Sequence, residues 1–281
     1  MYEVIFLWIL ALVYIIFAVI QDFKTREIAN WLTFSLIIFA LGFRLFYSLF
    51  SNDGFQFFFS GLMGLGIFFA IGNLLYYGKV FAGGDAKLMI ALGTILPIFP
   101  NIFSNIQGFF DFFLIFLIMG FLYILLSSLF LCVKNFKSFK KEFSKQLRKN
   151  KKLIFVVLSV SIIFLLLGFV QTIFFIVGIL MFSTSNLFLY SKAVDESCMI
   201  KRIKTKNLRE GDWLYSNVKI GKKEIKAKWE GLNKKDIKEL RKKLKEVRIR
   251  QGIPFSPVFF FGFVIFVLLI LFNVRLWNSF W

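Results

Sequence analysis

The chain of 281 residues contains no histidine and only two cysteines. Without histidine it can build neither a Ser-His-Asp triad nor a histidine-bound zinc peptidase centre. Cys132, in an apolar run, and Cys198, in a basic segment, are too few for a four-cysteine zinc site. No metal and no other cofactor is expected. Acidic residues are scarce as well, with 16 Asp and Glu against 35 Lys and Arg and a formal charge of +19. What abounds is apolar surface. The chain is 58% hydrophobic and carries 42 Phe, more than a soluble domain of this length buries in one core, so lipid is the expected solvent. In a soluble chain the positive charge would suggest nucleic acid. Here the positive residues border apolar runs, which points to membrane topology and to no nucleic-acid partner.

The first apolar run, Val4 to Ile20, has no basic segment ahead of it and is followed by Asp22-Phe23-Lys24-Thr25-Arg26 rather than a small-residue cleavage site, so it reads as a retained helix. About 20 apolar residues are needed to cross a bilayer core. By that length the spans are 3–21, 31–50, 55–77, 108–133, 153–169, 171–190 and 255–277. A weaker one, 86–100, is short and holds Gly93, Pro97 and Pro100, as a broken helix or one lying partly inside the protein would. The fold class is therefore an all-α polytopic membrane protein of seven or eight transmembrane helices with a small cytoplasmic α+β segment. With the N-terminus outside, the inner loops 22–30, 78–87, 134–152 and 191–254 hold 33 of the 35 Lys and Arg, leaving Arg44 and Arg275 elsewhere. The excess of positive charge places these loops in the cytoplasm of a multi-pass cell-membrane protein.

This divides the chain into a membrane domain at 1–133, a basic loop at 134–152, membrane helices at 153–190, a basic cytoplasmic domain at 191–254 and a last helix within 255–281. The loop 134–152 has nine basic residues against Glu142 alone and reads either as a mobile loop or as an interfacial helix. In 191–254, Ile220-Gly221 closes a hairpin after Trp213-Leu214-Tyr215, and Asn233 caps a helix in which Ile237, Leu240, Leu244 and Val247 recur at helical spacing. Its 20 basic residues either attract anionic lipid headgroups, at about 1 kcal/mol each near the surface, or form a solvated face that fixes the topology.

Ionisable groups in or beside apolar spans are costly unless paired, hydrated or neutralised. Topology sorts the acidic ones: Glu3, Asp53 and Asp111 lie toward the outside, and Asp22, Glu27 and Asp85 toward the cytoplasm. Asp22 ends the first span and Asp85 follows Gly83-Gly84, so two carboxylates distant in sequence converge on one bilayer face. Two carboxyls within reach share one proton, and such a pair hydrolyses a peptide with one member as general base toward water and the other as proton donor to the scissile carbonyl. Gly83 and Gly84, lacking Cβ, allow positive φ and close approach of a substrate backbone. The competing reading makes Asp22 and Asp85 interfacial helix caps, with Asp85 favouring the N-terminus of the next helix. Lys24, Arg26 and Lys87 then serve as membrane-side anchors that Glu27 can pair with. Arg44 reads as a side chain reaching for the outer interface, and the Phe residues as lipid-facing or packing groups.

The string Asp22-Phe23-Lys24-Thr25-Arg26-Glu27-Ile28-Ala29-Asn30 resembles the segment bearing the first catalytic aspartate of type IV prepilin and preflagellin peptidases. There, Asp is followed by a basic residue and then by Arg-Glu-Ile-Pro-Asn. Phe81-Ala82-Gly83-Gly84-Asp85-Ala86-Lys87 looks like the Gly-x-Gly-Asp site of the same membrane aspartyl proteases, and the likeness covers roughly residues 4–130. Ala29 stands where the family has Pro, and Ala82 where it has the first Gly. The absence of a four-cysteine cytoplasmic domain is similar to the archaeal, peptidase-only branch, as is the stretch from Gly231 to Pro257. The resemblance implies Asp22 and Asp85 as the catalytic pair, with Gly83, Gly84, Lys87, Arg26 and Glu27 supporting. It implies cleavage of short basic leader peptides from prepilins or archaeal preflagellins at the cytoplasmic membrane surface, with those precursors and membrane lipids as partners. A basic leader is repelled by a domain rich in Lys and Arg, so its binding falls to Asp22, Glu27 and Asp85, to the glycine loop, or to substrate packing in lipid. Two other readings remain at this stage. A presenilin-like intramembrane protease also uses Gly-x-Gly-Asp, but with a Tyr-Asp pair and a Pro-Ala-Leu that are absent here. A non-enzymatic transporter or assembly platform would carry its site at the bilayer midplane.

Overall fold

The computed structural model describes residues 2–51, 54–99, 101–220, 223–228, 230–272 and 274; Asp53, Pro100, Gly221 and Arg275 lie outside them. The helices are α1 (Tyr2–Thr25), α2 (Asn30–Phe50), α3 (Gln56–Tyr77), α4 (Gly83–Leu92), α5 (Ile102–Lys134), α6 (Phe136–Lys149), α7 (Lys151–Leu167), α8 (Thr172–Cys198), α9 (Lys234–Lys243) and α10 (Pro257–Leu271). The strands are β1 (Ile200–Lys204), β2 (Trp213–Leu214), β3 (Val218–Ile220), β4 (Lys223–Ile225) and β5 (Glu246–Arg250). They form two compact units, Met1–Ile124 with Pro254–Trp281, and Leu125–Ile253.

Among the described residues, α1, α2, α3, α5 and α8 are long and apolar enough to cross a membrane, and a sixth span results if α6 and α7, bent by 78°, count as one. The chain is thus polytopic, with five or six such helices rather than seven or eight. The difference lies in helix length. At 1.5 Å per residue, the 17 residues of α7, the 15 of α10 and the 10 of α4 reach about 25, 22 and 15 Å, short of a hydrocarbon core of about 30 Å.

In the first unit, α1 buries Leu7, Ala11, Ile15, Ala18 and Asp22, and α2 buries Leu32, Leu36, Ala40, Arg44 and Ser48. Steps of three and four put each set on one helix face. Both stripes therefore end or pass through an ionisable residue. Helix α3 turns a glycine face toward α4. A Cβ on Gly64 would stand 2.1 Å from the Gly93 carbonyl oxygen, and one on Gly72 would stand 2.7 Å from Ile90 Cγ1. Small residues of this kind let helices approach closely where lipid supplies no hydrophobic drive. Helix α4 is enclosed as a result, with Asp85, Ala86, Leu88, Met89, Ala91 and Leu92 all buried.

Beyond α4 the chain is irregular at 93–99, and its carbonyls cannot be hydrated by lipid. Arg44, fully buried rather than reaching an interface, supplies the donors. Its Nε donates to the Thr94 carbonyl (2.8 Å), Nη1 to the Phe57 carbonyl (2.9 Å) and Ser60 Oγ (3.1 Å), and Nη2 to the carbonyls of Ile95 and Pro97. These bonds use all five guanidinium hydrogens, and the Phe57 ring lies 4.3 Å from the guanidinium carbon. Asn105 completes the support, its Oδ1 accepting from the Ile98 and Phe99 amides and its Nδ2 donating to the Phe99 carbonyl.

In the second unit, α7 and α8 pack closely enough that a Cβ on Gly178 would stand 2.8 Å from Leu165 Cγ. The segment 134–152, open above between a loop and an interfacial helix, contains α6. Its Phe139 ring stands 5.8 Å from that of Tyr190 on α8. Cys132, Val194 and Cys198 are buried beside it. Strands β1, β5 and β2 form an antiparallel sheet in that order, with Ile200 opposite Arg250 and Lys204 opposite Glu246. The hairpin at 220 pairs β3 with β4, while Trp213-Leu214 joins β5 instead. Asn233 caps α9, its Oδ1 accepting from the Asp236 amide at 2.8 Å. Val247 belongs not to that helix but to β5, where Val247 and Ile249 alternate inward to meet Ile237 and Leu240. A helical interval from Leu240 to Val247 thus spans a helix and a strand that share one core.

Candidate functional site

Asp22 is in the last turn of α1 and Asp85 in the first turn of α4. Each is only 8% exposed. They are near enough for the charge of Asp22 to act on Asp85. Asp85, in the first turn of α4, also lies where the helix dipole favours a carboxylate, so the two readings of it are compatible.

The chain between α1 and α2 is shaped to bring this about. The Arg26 amide donates to the Asp22 carbonyl at 2.9 Å, and Arg26 has φ +60°, which turns the chain out of the helix at a cost of about 1 kcal/mol for a residue with Cβ. Gln21 Oε1 then accepts from the Ala29 amide at 2.9 Å and closes the loop. Ala29 has φ −65°, the value a proline would impose, and here its free N–H is put to use. The turn returns Ile28 beneath Gly84. A Cβ on Gly84 would lie 3.1 Å from Ile28 Cβ and 3.3 Å from its amide nitrogen. Lys87 Nζ donates to Asn30 Oδ1 at 2.6 Å, a second link between the two strings.

The glycines do not serve positive φ, since both are helical; Gly84 serves close packing, and Gly83 meets nothing nearer than Tyr76 at 3.7 Å. Ala82 is exposed at φ −70°, ψ 159°, a conformation open to any residue, so its Cβ costs the loop nothing. Arg26 and Glu27 are exposed on the loop between α1 and α2. Asp111 lines a small cavity with Ser104 and Gln107. Among the described residues no three His, Cys, Asp or Glu come together as a metal site.

Sequence reasoning missed Gln21 and Ser256. The Ser256 amide donates to Asp22 Oδ2 at 3.1 Å across 234 residues. Ser256 falls within the stretch from Gly231 to Pro257 noted above, and its own local signal is a serine before Pro257 at the head of an apolar run, the pattern of a helix start. Phe81 and Phe255 pack with ring centres 5.7 Å apart, which ties the Gly-Gly-Asp string to the Ser256 segment.

Residues 8–133 match the model of the type IV leader peptidase family. A preflagellin peptidase of Methanococcus maripaludis is 29% identical over 85 residues, which is 30% of this chain and 36% of the relative. The match thus spans about a third of each protein. No solved structure matches the chain. Both Asp22 and Asp85 fall within the residues matched by the family model.

Proposed function

We propose that this protein is a membrane aspartic endopeptidase that removes short basic leader peptides from type IV prepilins or archaeal preflagellins. What supports the reading is that Asp22 and Asp85, two buried carboxylates from helix ends more than 60 residues apart, are near enough for the charge of one to act on the other. The similarity of residues 8–133 to type IV leader peptidases supports it.

In the mechanism we propose, one carboxyl of the pair acts ionised and the other protonated. The ionised member takes a proton from a water as that water attacks the scissile carbonyl carbon. The protonated member gives its proton to the carbonyl oxygen. Collapse of the tetrahedral intermediate breaks the C–N bond, and a carboxyl returns a proton to the departing amine. Loops 22–30 and 78–87 lie before and after the two spans α2 and α3 and so share one membrane face, which we assign to the cytoplasm, where a leader just ahead of its hydrophobic segment would present its cleavage point. Asp22 lies near the end of the 24-residue span α1, at a bilayer boundary rather than at the midplane where a transporter site sits.

The test is leader removal in membranes that also express a precursor with such a leader. Asp22→Asn and Asp85→Asn should each abolish it, and Asp111→Asn should not. Normal processing by either of the first two would end the reading.

A further inference from the structure

Asp22 occupies an unfavourable place for a carboxylate. It sits in the last turn of the 24-residue helix α1, where unsatisfied carbonyls and the negative end of the helix dipole oppose a negative charge. It is also 8% exposed, so water does little to offset this. What faces it is the start of α10. Ser256, the residue before that 15-residue helix, points its amide at Asp22 Oδ2, 3.1 Å away. Ser256 is itself fully buried. Its hydroxyl also has no hydrogen-bond partner among the described residues, so a second polar group lies at the same spot.

The donor is held rigidly. Phe255 packs against Phe81 at 5.7 Å and Phe116 at 5.8 Å, and Val258 and Phe259 are fully buried. Pro257 presets the first helical φ and leaves no amide of its own to compete for the carboxylate.

We propose that Ser256 is a positioning residue for Asp22: its backbone N–H, at the N-terminus of α10, fixes Oδ2 as an acceptor and sets the orientation of the carboxylate. The proposal rests on the peptidase reading above. It brings the C-terminal helix, far outside the matched residues 8–133, into the assembly of the site.

The experiment is the steady-state kinetics of leader removal by the full-length protein in membranes. Ser256→Pro deletes the N–H and retains the backbone angle, since φ at Ser256 is −54°. Loss of a hydrogen bond to a charged group corresponds to roughly tenfold or more, so kcat should fall by about that factor with KM little changed. Ser256→Ala keeps the N–H and should leave kcat in place. If the proline variant does not fold, replacing Ser256 by its α-hydroxy acid counterpart through nonsense suppression removes the same N–H with the side chain intact, and the same fall in kcat is expected. A kcat unmoved by loss of the N–H, or lowered equally by Ser256→Ala, overturns the proposal and leaves the peptidase reading standing. Leader removal by Asp22→Asn overturns both.

Discussion

Two glycines on the same face-to-face helix pair offer a matched test of how α4, and with it Asp85, is held. Gly64 and Gly66 lie two residues apart in α3. Alanine at either gains helix propensity of up to about 1 kcal/mol. Around Gly66 a new Cβ meets nothing within 4 Å, whereas at Gly64 it would fall 2.1 Å from the Gly93 carbonyl oxygen and 2.6 Å from Pro97 Cγ. A normal C···O contact is about 3.3 Å, so α3 and the end of α4 would have to part by roughly 1 Å. The obstructing atoms are backbone and a proline ring, which cannot swing away. Overpacking of this kind costs about 1–3 kcal/mol and can exceed the propensity gain. Gly64→Ala should therefore lower the midpoint of thermal unfolding in detergent by several degrees, at roughly 2–4 °C per kcal/mol for larger domains. It should also slow leader removal, because α4 carries Asp85. Gly66→Ala should hold or raise the midpoint. Equal behaviour of the two variants would refute the close packing of α3 on α4.

Arg44→Met should destabilise the membrane unit by about 3–5 kcal/mol, because it strands buried carbonyls that had a charged donor; expression level and thermal unfolding report it, and Arg44→Lys should not restore the loss, since a lysine lacks the planar fork. Asn233→Ala should weaken α9 by about 1 kcal/mol, seen as faster amide exchange at Asp236 and its neighbours. Leu240→Ala, at a fully buried position, should cost the segment around β5 about 2–5 kcal/mol in local hydrogen exchange.

The two aspartates were legible as candidates because charges are rare in an apolar chain and the strings around them are distinctive. Their supports were less so. Gln21 reads as one more residue at a helix end, and its bond to Ala29 appears only once Arg26 turns the chain. Ser256 is invisible for a simpler reason: a contact across 234 residues leaves no local pattern. Arg44 misled by its position near the outer end of a span, where an exposed side chain would reach outward. Its step of four from Leu36 and Ala40 put it on the buried face instead.

The sequence by itself determined that the chain is a polytopic membrane protein and that Asp22 and Asp85 stand out as candidates among its few acidic residues. It did so through bulk properties, namely run length, charge asymmetry and the scarcity of acids. Only the tertiary structure decided which helix faces turn inward, how short α4 is, and what holds Asp22. In water an amphipathic helix announces its buried face, but in lipid both faces are apolar and the periodicity fades. What remains to mark the interior is glycine and the occasional polar side chain, and their partners come from parts of the chain too distant for any local rule to pair.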